Sequence, residues 1–227
     1  VAFFLVINLI PPAKNVEHNP FVVGEGKLPM IAAHRGGGIS NPENTMLAFY
    51  TGMYMGANGI ETDLHKTKDG HIVLFHNDNL DNRSSGTGPI KEYTLAELKE
   101  MDFGAWKDPK YAGEKILTLE EFAEKYFHLD LTFALELKAP DCEKETLDII
   151  KKYNVTDKVF VTSFQFEYLQ KVRALNKDVR LGWLVRKPDK EVCEKLLTIN
   201  GSQMCPQAYF VEKEDVDLIN SYGLRTR

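Results

Sequence analysis

The chain carries a set of ionisable residues that could act together on one ligand. Glu61 and Asp63 lie one residue apart, and on a strand two such residues point to the same face. They could share a cation, and Glu136 could join them from a neighbouring strand, because carboxylate oxygens bind hard divalent ions. Two histidines, His34 and His76, belong to the same set.

The two bases of the set are Arg35, which follows His34, and Lys138, which lies two residues after Glu136. An arginine guanidinium is a planar fork of donors that can grip a phosphate, and a lysine ammonium adds a point charge. Three carboxylates, two histidines and two bases together suggest phosphate chemistry.

The elements that must position these residues are short apolar runs, each of which ends in charge. A buried parallel strand is apolar along its length, and its polar residues gather at its end. Such ends line the catalytic rim of a parallel barrel. After residue 132, strand and helix patterns alternate, which indicates a parallel α/β sheet or barrel. The four runs that end in charge cover residues 30–33, 59–60, 72–75 and 132–135.

Three helix starts can be recognised from their capping residues. Asn41 followed by Pro42 predicts a helix with the asparagine as its N-cap. Two capping boxes, in which a threonine is followed three residues later by a glutamate, predict two more helices. The boxes are Thr94 with Glu97 and Thr118 with Glu121.

The segment from Ile31 to about Ala139 carries six motifs whose order and spacing resemble those of the glycerophosphodiester phosphodiesterase family. In that family the motifs run His-Arg-Gly, Pro-Glu-Asn-Thr, Glu-x-Asp, Lys-Asp-Gly, His-Asp-x-x-Leu and Glu-x-Lys. One motif alone would be weak evidence, but six in order make the match specific. Residues 161–164 and 181–184 also resemble the family's next two strands. The six motifs read His34-Arg35-Gly36, Pro42-Glu43-Asn44-Thr45, Glu61-Thr62-Asp63, Lys68-Asp69-Gly70, His76-Asn77-Asp78-Asn79-Leu80 and Glu136-Leu137-Lys138.

The resemblance implies an α/β fold of the TIM (β/α)8 type, with the barrel domain in residues 29–227. An insertion after strand 2, at about residues 77–115, is expected to lie over the active site and to shape the substrate pocket. Six barrel strands are predicted before the chain stops at residue 227. We therefore expect a C-terminally truncated barrel that lacks its last two strands.

The resemblance also implies how the ionisable residues divide the work. Glu61, Asp63 and Glu136 are expected to bind one divalent metal ion, and oxygen ligands favour Ca²⁺ or Mg²⁺ over zinc. His34 and His76 are expected to be the general base and the general acid, in an order that the sequence leaves open.

Five further residues are expected to contact the substrate. Arg35 and Lys138 would bind the phosphate. Glu43, at a predicted helix start, would bind the glycerol hydroxyls or water on the metal. Phe164 and Trp183, near the ends of two later strands, could form walls of the pocket.

The function implied by the resemblance is hydrolysis of a glycerophosphodiester to glycerol 3-phosphate and an alcohol such as choline or ethanolamine. Two alternatives remain open at this point. One is a lysophospholipase D-like lipid phosphodiesterase, which would need an apolar slot for an acyl chain. The other is a domain that binds phosphate but has lost turnover.

Composition limits the class of partner. The chain has 227 residues, 43% of them hydrophobic, and a formal net charge of -5. This charge lacks the basic footprint of a nucleic-acid-binding protein, so the expected partner is a small anionic substrate attracted by local positive charge. The oligomeric state is left open. The three cysteines have no spacing typical of a zinc site or a disulfide framework.

The N-terminal region differs in composition from the rest. Residues 1–10 are almost wholly apolar, and residues 11–28 form a linker rich in proline, asparagine and glycine. Ten residues are too few to span a bilayer, which takes roughly 20 residues. They are interpreted as the remnant of a signal peptide or membrane anchor in an exported or membrane-associated protein. The alternative is a short hydrophobic arm that packs on the bottom of the barrel of a cytoplasmic protein.

Overall fold

The computed structural model describes residues 31–227, so the interpretation of residues 1–28 as an apolar segment and linker lies outside the described residues. Within residues 31–227 the strands are β1 (Ala32–Ala33), β2 (Gly59–Lys66), β3 (Ile72–Leu74), β4 (Thr132–Leu137), β5 (Val159–Ser163), β6 (Arg180–Val185), β7 (Gln203–Pro206) and β8 (Arg225–Thr226). The helices are α1 (Met46–Tyr54), α2 (Leu95–Glu100), α3 (Leu119–Tyr126), α4 (Glu143–Lys152), α5 (Phe166–Leu175), α6 (Lys190–Leu197) and α7 (Lys213–Ser221).

The strands form one sheet in the order β1-β2-β4-β5-β6-β7-β8, and every neighbouring pair on this path is parallel. Helices connect the parallel strands, and the sheet curls into a half-barrel. This confirms the predicted α/β barrel fold. In such a fold the carboxyl ends of the strands meet at one rim, where active sites lie.

The count of parallel strands differs from the prediction by one. Residues 31–227 contain a seventh parallel strand, β8, in which Arg225 and Thr226 pair with Gln203 and Met204 of β7. The expected count of six parallel strands is corrected to seven. A strand of two residues is too short to show a period-two pattern, which explains why the sequence did not reveal it.

Strand β3 does not belong to the parallel path. It pairs antiparallel with the end of β2, with Leu64 opposite Leu74, and the Lys-Asp-Gly turn closes this hairpin. Directly after β3, the backbone N–H of Phe75 donates to the carbonyl of Asp63 at 3.0 Å. Because of this hairpin, His76, the residue after Phe75, lies beside the carboxyl half of β2. The apolar run 72–75, one of the four runs that end in charge, therefore reaches the rim from the antiparallel side.

The main core lies between the sheet and its helices and contains a group of packed aromatic rings. Phe49 of α1 and Phe122 of α3 meet edge to face at 4.8 Å between ring centroids, and Phe133 of β4 contacts Phe122 at 5.8 Å. Such pairs add specific geometry to the burial of apolar area. This packing holds α1 and β4, which both lead to candidate site residues, in a defined relation.

Residues 77–115, the predicted insertion, pack around a second hydrophobic cluster. Its buried members come from β3, from the loops and from α2. The segment therefore has its own core and does not depend on the main one for all of its apolar contacts. The cluster consists of Val73, Phe75, Leu80, Ile90, Leu98, Phe103 and Ile116.

Two of the three predicted helix starts are confirmed, since both capping boxes are present at the starts of α2 and α3. The start at Asn41 is wrong. Helix α1 begins at Met46, and the side chain of Thr45 accepts the hydrogen bond from Ala48. The reason is Asn44, whose φ of 59° lies in the left-handed region and cannot continue a right-handed helix.

No helix within residues 31–227 is both long and apolar enough to cross a membrane.

The three cysteines, Cys142, Cys193 and Cys205, are free and buried. Burial raises the pKa of the Cys142 thiol to about 12. A buried thiol of high pKa is a packing residue rather than a nucleophile.

Candidate active site

Three buried carboxylates converge on the neighbouring strands β2 and β4. Asp63 is the register partner of Glu136, and Glu61 lies two residues before Asp63 on the same face. Each residue offers an oxygen within 4.8 Å of the other two, and their exposed fractions are 5%, 0% and 6% for Glu61, Asp63 and Glu136. We call this group the acidic triad. Among residues 31–227 it is the group whose geometry suits a metal ion.

The electrostatics of the acidic triad favour a cation. Burial, and then the charge of Asp63, raise the pKa of Glu61 to about 8, although the Arg35 backbone N–H opposes this rise. Burial and Asp63 also raise the pKa of Glu136, against the opposing effect of Lys138. Carboxylates that are buried side by side resist ionisation together, and a divalent ion relieves this repulsion.

Asp63 is held by a small polar network. The side-chain amide of Asn44 donates to Asp63 Oδ2 at 3.0 Å, and the amide oxygen of Asn44 accepts a hydrogen bond from Thr62 at 2.8 Å. Arg35 Nε lies 3.5 Å from the same Oδ2. Asp63 Oδ1, in contrast, is buried and has no hydrogen-bond partner among residues 31–227. One oxygen of Asp63 is thus fixed by the protein, and the other is left for a ligand.

Asn44 is a further residue of the candidate site, to which the sequence analysis assigned no role beyond its place in the Pro-Glu-Asn-Thr motif. Its side chain is buried and bridges the metal-ligand candidate Asp63 to Thr62. The signal that could have found it is its position in the Pro-Glu-Asn-Thr motif. Partners of this kind orient a ligand carboxylate and tune the affinity for metal.

Arg35 lies in the tight turn after β1, with φ of 50°. Its backbone N–H donates to Glu61 Oε2 at 2.9 Å, and its Nη1 donates to Glu43 at 3.0 Å. The next residue, Gly36, has φ of 75°, and a Cβ there would lie 2.5 Å from the Phe49 ring, so only glycine fits. The turn therefore brings both the backbone and the guanidinium of Arg35 to the acidic residues.

His34 lies at the mouth of the site. Its side chain is 72% exposed, and Nε2 is 3.8 Å from Glu61 Oε2. Partial burial, and then the charge of Arg35, lower the pKa of His34. A largely neutral and accessible imidazole beside the acidic triad can exchange a proton with a substrate.

His76 is linked to the acidic triad through Lys138. Its Nε2 is 3.3 Å from Lys138 Nζ, which in turn lies 3.1 Å from Glu136 Oε1. Its Nδ1 is 2.8 Å from Asn77 Oδ1. Behind it, the buried His65 ring contacts the His76 carbonyl at 3.4 Å. The imidazole therefore has a partner on each ring nitrogen.

Of the two aromatic residues predicted at the pocket, only Phe164 reaches the charged groups directly. It is 53% exposed, and its ring centroid lies 5.9 Å from Lys138 Nζ. Trp183 donates its indole N–H to the Phe164 carbonyl at 3.1 Å and packs against the Phe166 ring at 4.7 Å. Trp183 thus supports the loop that carries Phe164.

The insertion contacts the site through basic side chains that the sequence reasoning did not single out. Arg83 Nε lies 3.8 Å from Glu43 Oε1, and its guanidinium stacks 4.3 Å from the centroid of Trp106. Lys107 donates to the carbonyl of Gly38 at 2.6 Å. Within a polar, turn-rich stretch, no spacing marks these residues out. They tie the insertion to the loop that follows β1.

The curled parallel sheet, with buried carboxylates on two neighbouring strands, has the architecture of a TIM-barrel enzyme. The family model for the glycerophosphoryl diester phosphodiesterase family matches residues 34–225. The chain belongs to this family of TIM-barrel phosphodiesterases, which confirms the resemblance read from its six motifs.

Similarity to known proteins extends over most of the chain. The glycerophosphodiester phosphodiesterase of Caldanaerobacter subterraneus is 37% identical over 201 residues, which cover 86% of this chain and 83% of the relative. The glycerophosphodiester phosphodiesterase of Bacillus subtilis is 33% identical over 218 residues, covering 86% and 74%. A structure of an Oleispira antarctica phosphodiesterase in complex with the product sn-glycerol-3-phosphate matches with a TM-score of 0.81 at 29% identity, covering 87% of this chain and 83% of that one.

Proposed function

We propose that this chain hydrolyses glycerophosphodiesters to glycerol 3-phosphate and an alcohol by metal-dependent, histidine acid-base catalysis. The observation that carries the proposal is the convergence of three buried carboxylates with His34 and with the Lys138–His76 pair. The family and the Oleispira relative, which was solved with sn-glycerol-3-phosphate as its product, support the choice of substrate.

The residues fit a divalent cation. Within the described part of the chain, Asp63 Oδ1 is buried without a hydrogen-bond partner, and burial, followed by the charge of Asp63, raises the pKa of both Glu61 and Glu136. All three donors are oxygens, the ligands that Ca²⁺ and Mg²⁺ take, and we propose one of these ions as the cofactor. When bound, such an ion neutralises phosphate charge and makes a nearby hydroxyl or water more acidic.

Proton transfer is assigned to His34 and His76. One imidazole removes a proton from the attacking hydroxyl or water, and the other protonates the leaving alcohol, which would otherwise depart as a poor alkoxide. His34 faces the site from the exposed mouth, and His76 faces it from the side of Lys138. Two imidazoles on different sides of one phosphate suit in-line displacement, because the attacking and leaving oxygens are opposite each other.

Substrate binding is assigned to Arg35, Lys138, Glu43, Phe164 and, indirectly, Trp183. Lys138 is only partly buried and can turn a donor to phosphate. Glu43 accepts from Arg35, whose remaining donors can bind phosphate oxygens, and its carboxylate is placed for glycerol hydroxyls. Phe164 offers an apolar wall.

We further propose that residues 29–227 are the barrel domain, in which residues 77–115 form an insertion that limits the pocket. The Arg83–Glu43 and Lys107–Gly38 contacts support this role, because they place the insertion beside the loop that follows β1. They would also make the pocket sensitive to changes within the insertion.

The test is product analysis with metal-stripped protein to which Ca²⁺ or Mg²⁺ is added back. Glycerophosphocholine should yield glycerol 3-phosphate and choline, and a chelator should abolish the reaction. Lysophosphatidylcholine is the comparison substrate. Hydrolysis of the acylated substrate alone would support the lysophospholipase D alternative. Binding of glycerol 3-phosphate without turnover of either substrate would support the non-catalytic alternative.

A further inference from the structure

The loop after β3 places an asparagine against one nitrogen of the His76 ring and a lysine against the other. Asn77 Oδ1 lies 2.8 Å from Nδ1, and Lys138 Nζ lies 3.3 Å from Nε2. A lysine ammonium can only donate hydrogen bonds. Lys138 is also paired with Glu136 at 3.1 Å, which holds its ammonium in place. Lys138 therefore favours Nε2, the nitrogen that faces it, as the acceptor.

The proton of the neutral ring then has one remaining position. A neutral imidazole carries its hydrogen on one nitrogen and a lone pair on the other, so a lone pair on Nε2 puts the hydrogen on Nδ1. That N–H requires an acceptor, and the side-chain oxygen of Asn77 is the group at hydrogen-bond distance. The opposite amide orientation would set two donors against each other. Asn77 and Lys138 thus select the same tautomer.

The backbone on both sides of the ring is also held. The N–H of Phe75 donates to the Asp63 carbonyl at 3.0 Å, and the His65 ring contacts the His76 carbonyl at 3.4 Å. The backbone that carries His76 is therefore fixed, and the orientation of its ring depends on Asn77 and Lys138. In functional histidines, the hydrogen bond made by one ring nitrogen commonly decides whether the other nitrogen can exchange protons. For His76 that bond joins Nδ1 to Asn77.

We propose that Asn77 is a positioning residue, which holds the His76 imidazole in its Nδ1–H tautomer and keeps the Nε2 lone pair on the side of Lys138 and Glu136. The proposal rests on the proposed function only in assigning His76 to proton transfer. The family motif has aspartate at this position, as His-Asp-x-x-Leu. Asparagine keeps the acceptor oxygen and adds no charge to the ring.

The tautomer can be read directly by NMR on the full chain labelled with ¹⁵N-histidine, without metal or substrate. Two-bond proton–nitrogen correlations separate the protonated from the unprotonated ring nitrogen, and His76→Gln identifies the signals of this ring. Wild type should show a protonated Nδ1 and an unprotonated Nε2 at His76. Asn77→Ala removes one of the two partners that favour this tautomer, so part of the His76 population should shift to a protonated Nε2, whereas Asn77→Asp should retain the wild-type form because a carboxylate also accepts.

Activity gives a second readout. In Asn77→Ala, kcat should fall by roughly 10-fold, a part of the 10²–10⁴ that an acid-base group contributes. KM should change little, because Asn77 is not assigned to substrate binding, and Asn77→Asp should restore part of the rate. Asn79→Ala, on an exposed residue of the same loop, is the matched control and should behave as wild type in both measurements.

The outcomes separate this proposal from the proposed function. An Nε2–H tautomer in wild type, or an unchanged tautomer in Asn77→Ala, would overturn the role of Asn77 whatever the enzyme hydrolyses. If wild type shows the expected tautomer but splits no glycerophosphodiester, the proposed function fails and the role of Asn77 in holding the ring stands.

Discussion

Two clusters of acids and bases lie near the carboxyl ends of β2 and β4, and they differ in how their charges are balanced. In the acidic triad, the oxygens of three buried carboxylates lie within 4.8 Å of one another. In the second cluster, beside the start of α4, lysines lie against the acids: Lys66 bonds Glu145 at 2.8 Å and Lys171 bonds Asp141 at 2.9 Å. We call this second group the lysine-paired cluster.

The pKa shifts of the two clusters have opposite signs. Burial raises the pKa of Glu61 to about 8, and Asp63 adds to the rise. At Glu145, burial is the largest single influence and tends to raise the pKa, but the hydrogen bond from Lys66, a backbone hydrogen bond and the charges of Lys66 and Lys144 together lower it. Carboxylates thus repel one another without nearby compensation in the acidic triad, whereas in the lysine-paired cluster they form ordinary ion pairs. Frustrated ionisation in a cleft marks a functional site, whereas balanced pairs are structural.

The largest expected difference between the clusters concerns activity. Glu61→Gln removes a proposed metal ligand. Loss of a residue that only hydrogen-bonds to a ligand lowers metal affinity by roughly 10–100-fold, so this change should lower the affinity for Ca²⁺ or Mg²⁺ by more than that. Activity at low metal should fall accordingly. Glu145→Gln, the same change in the lysine-paired cluster, is the control and should leave kcat/KM unchanged. Metal titration, followed by activity and by calorimetry, measures activity and metal affinity in the two variants. Equal effects in both would contradict a functional difference between the acidic triad and the lysine-paired cluster.

The two imidazoles test the chemistry beside the acidic triad. Separate replacement of His34 and His76 by alanine in the full chain should lower kcat by roughly 10²–10⁴. Metal binding should persist, because neither ring belongs to the acidic triad. Single-turnover kinetics and calorimetric metal titration check the two expectations. His71→Ala, on an exposed ring beyond β2, serves as the control. Unchanged rates in both site variants would remove the acid-base roles.

The network behind Asp63 should have a smaller effect. Asn44→Ala loses the hydrogen bond to Asp63 Oδ2, so the affinity for metal should fall by roughly 10–100-fold. Since Asn44 has φ of 59°, alanine also introduces backbone strain, whereas Asn44→Gly removes the same side chain without it. If the hydrogen bond matters, both variants bind metal weakly and differ only in melting temperature. Normal metal affinity in the glycine variant would assign the whole effect to the backbone.

Much of the barrel could be predicted because local pattern and tertiary structure agree. Strands β4, β5, β6 and β7 follow apolar runs bounded by turn residues, and both capping boxes start the helices expected of them. The acidic triad was predictable for the same reason. A spacing of two on β2 fixes a shared face, and parallel strands end at one rim.

The remaining features depend on contacts that no local pattern records. The run that forms β3 is as apolar as a parallel strand, and only its pairing with β2 shows that it is antiparallel. Asn41 and Pro42 have the residue types of a helix start, but Asn44 is drawn to Asp63 and Thr62 in a left-handed conformation, which delays α1 to Met46. Likewise, the pairing of Arg35 with Glu43 is visible only in three dimensions.

Stability against pH gives a weaker test of the charge imbalance. The pKa of Glu61 rises from 4.5 to about 8 on folding, so the metal-free folded state binds its proton more tightly than the unfolded state. The proton on Glu61 therefore contributes to the free energy of unfolding below pH 4.5, the unfolded pKa, and this contribution is lost as pH rises toward about 8. Metal-free protein should therefore lose stability across this range, and Ca²⁺ should raise the melting temperature more near pH 8 than near pH 5. Glu61→Gln should flatten both trends, and equal stabilisation by Ca²⁺ at both pH values would contradict the account.

The smallest effect is expected in the lysine-paired cluster. Lys66→Met removes the bond to Glu145, but this pair is partly exposed, and such pairs contribute only about 0–1 kcal/mol. The melting temperature should shift by no more than about 2–4 °C, the change that 1 kcal/mol produces in a domain of this size. Salt should reduce the difference between variant and wild type, because it screens an exposed pair. Thermal unfolding at low and high salt measures this. A loss of metal affinity in this variant would show that the two clusters are coupled, since Lys66 ends the strand that carries Glu61 and Asp63.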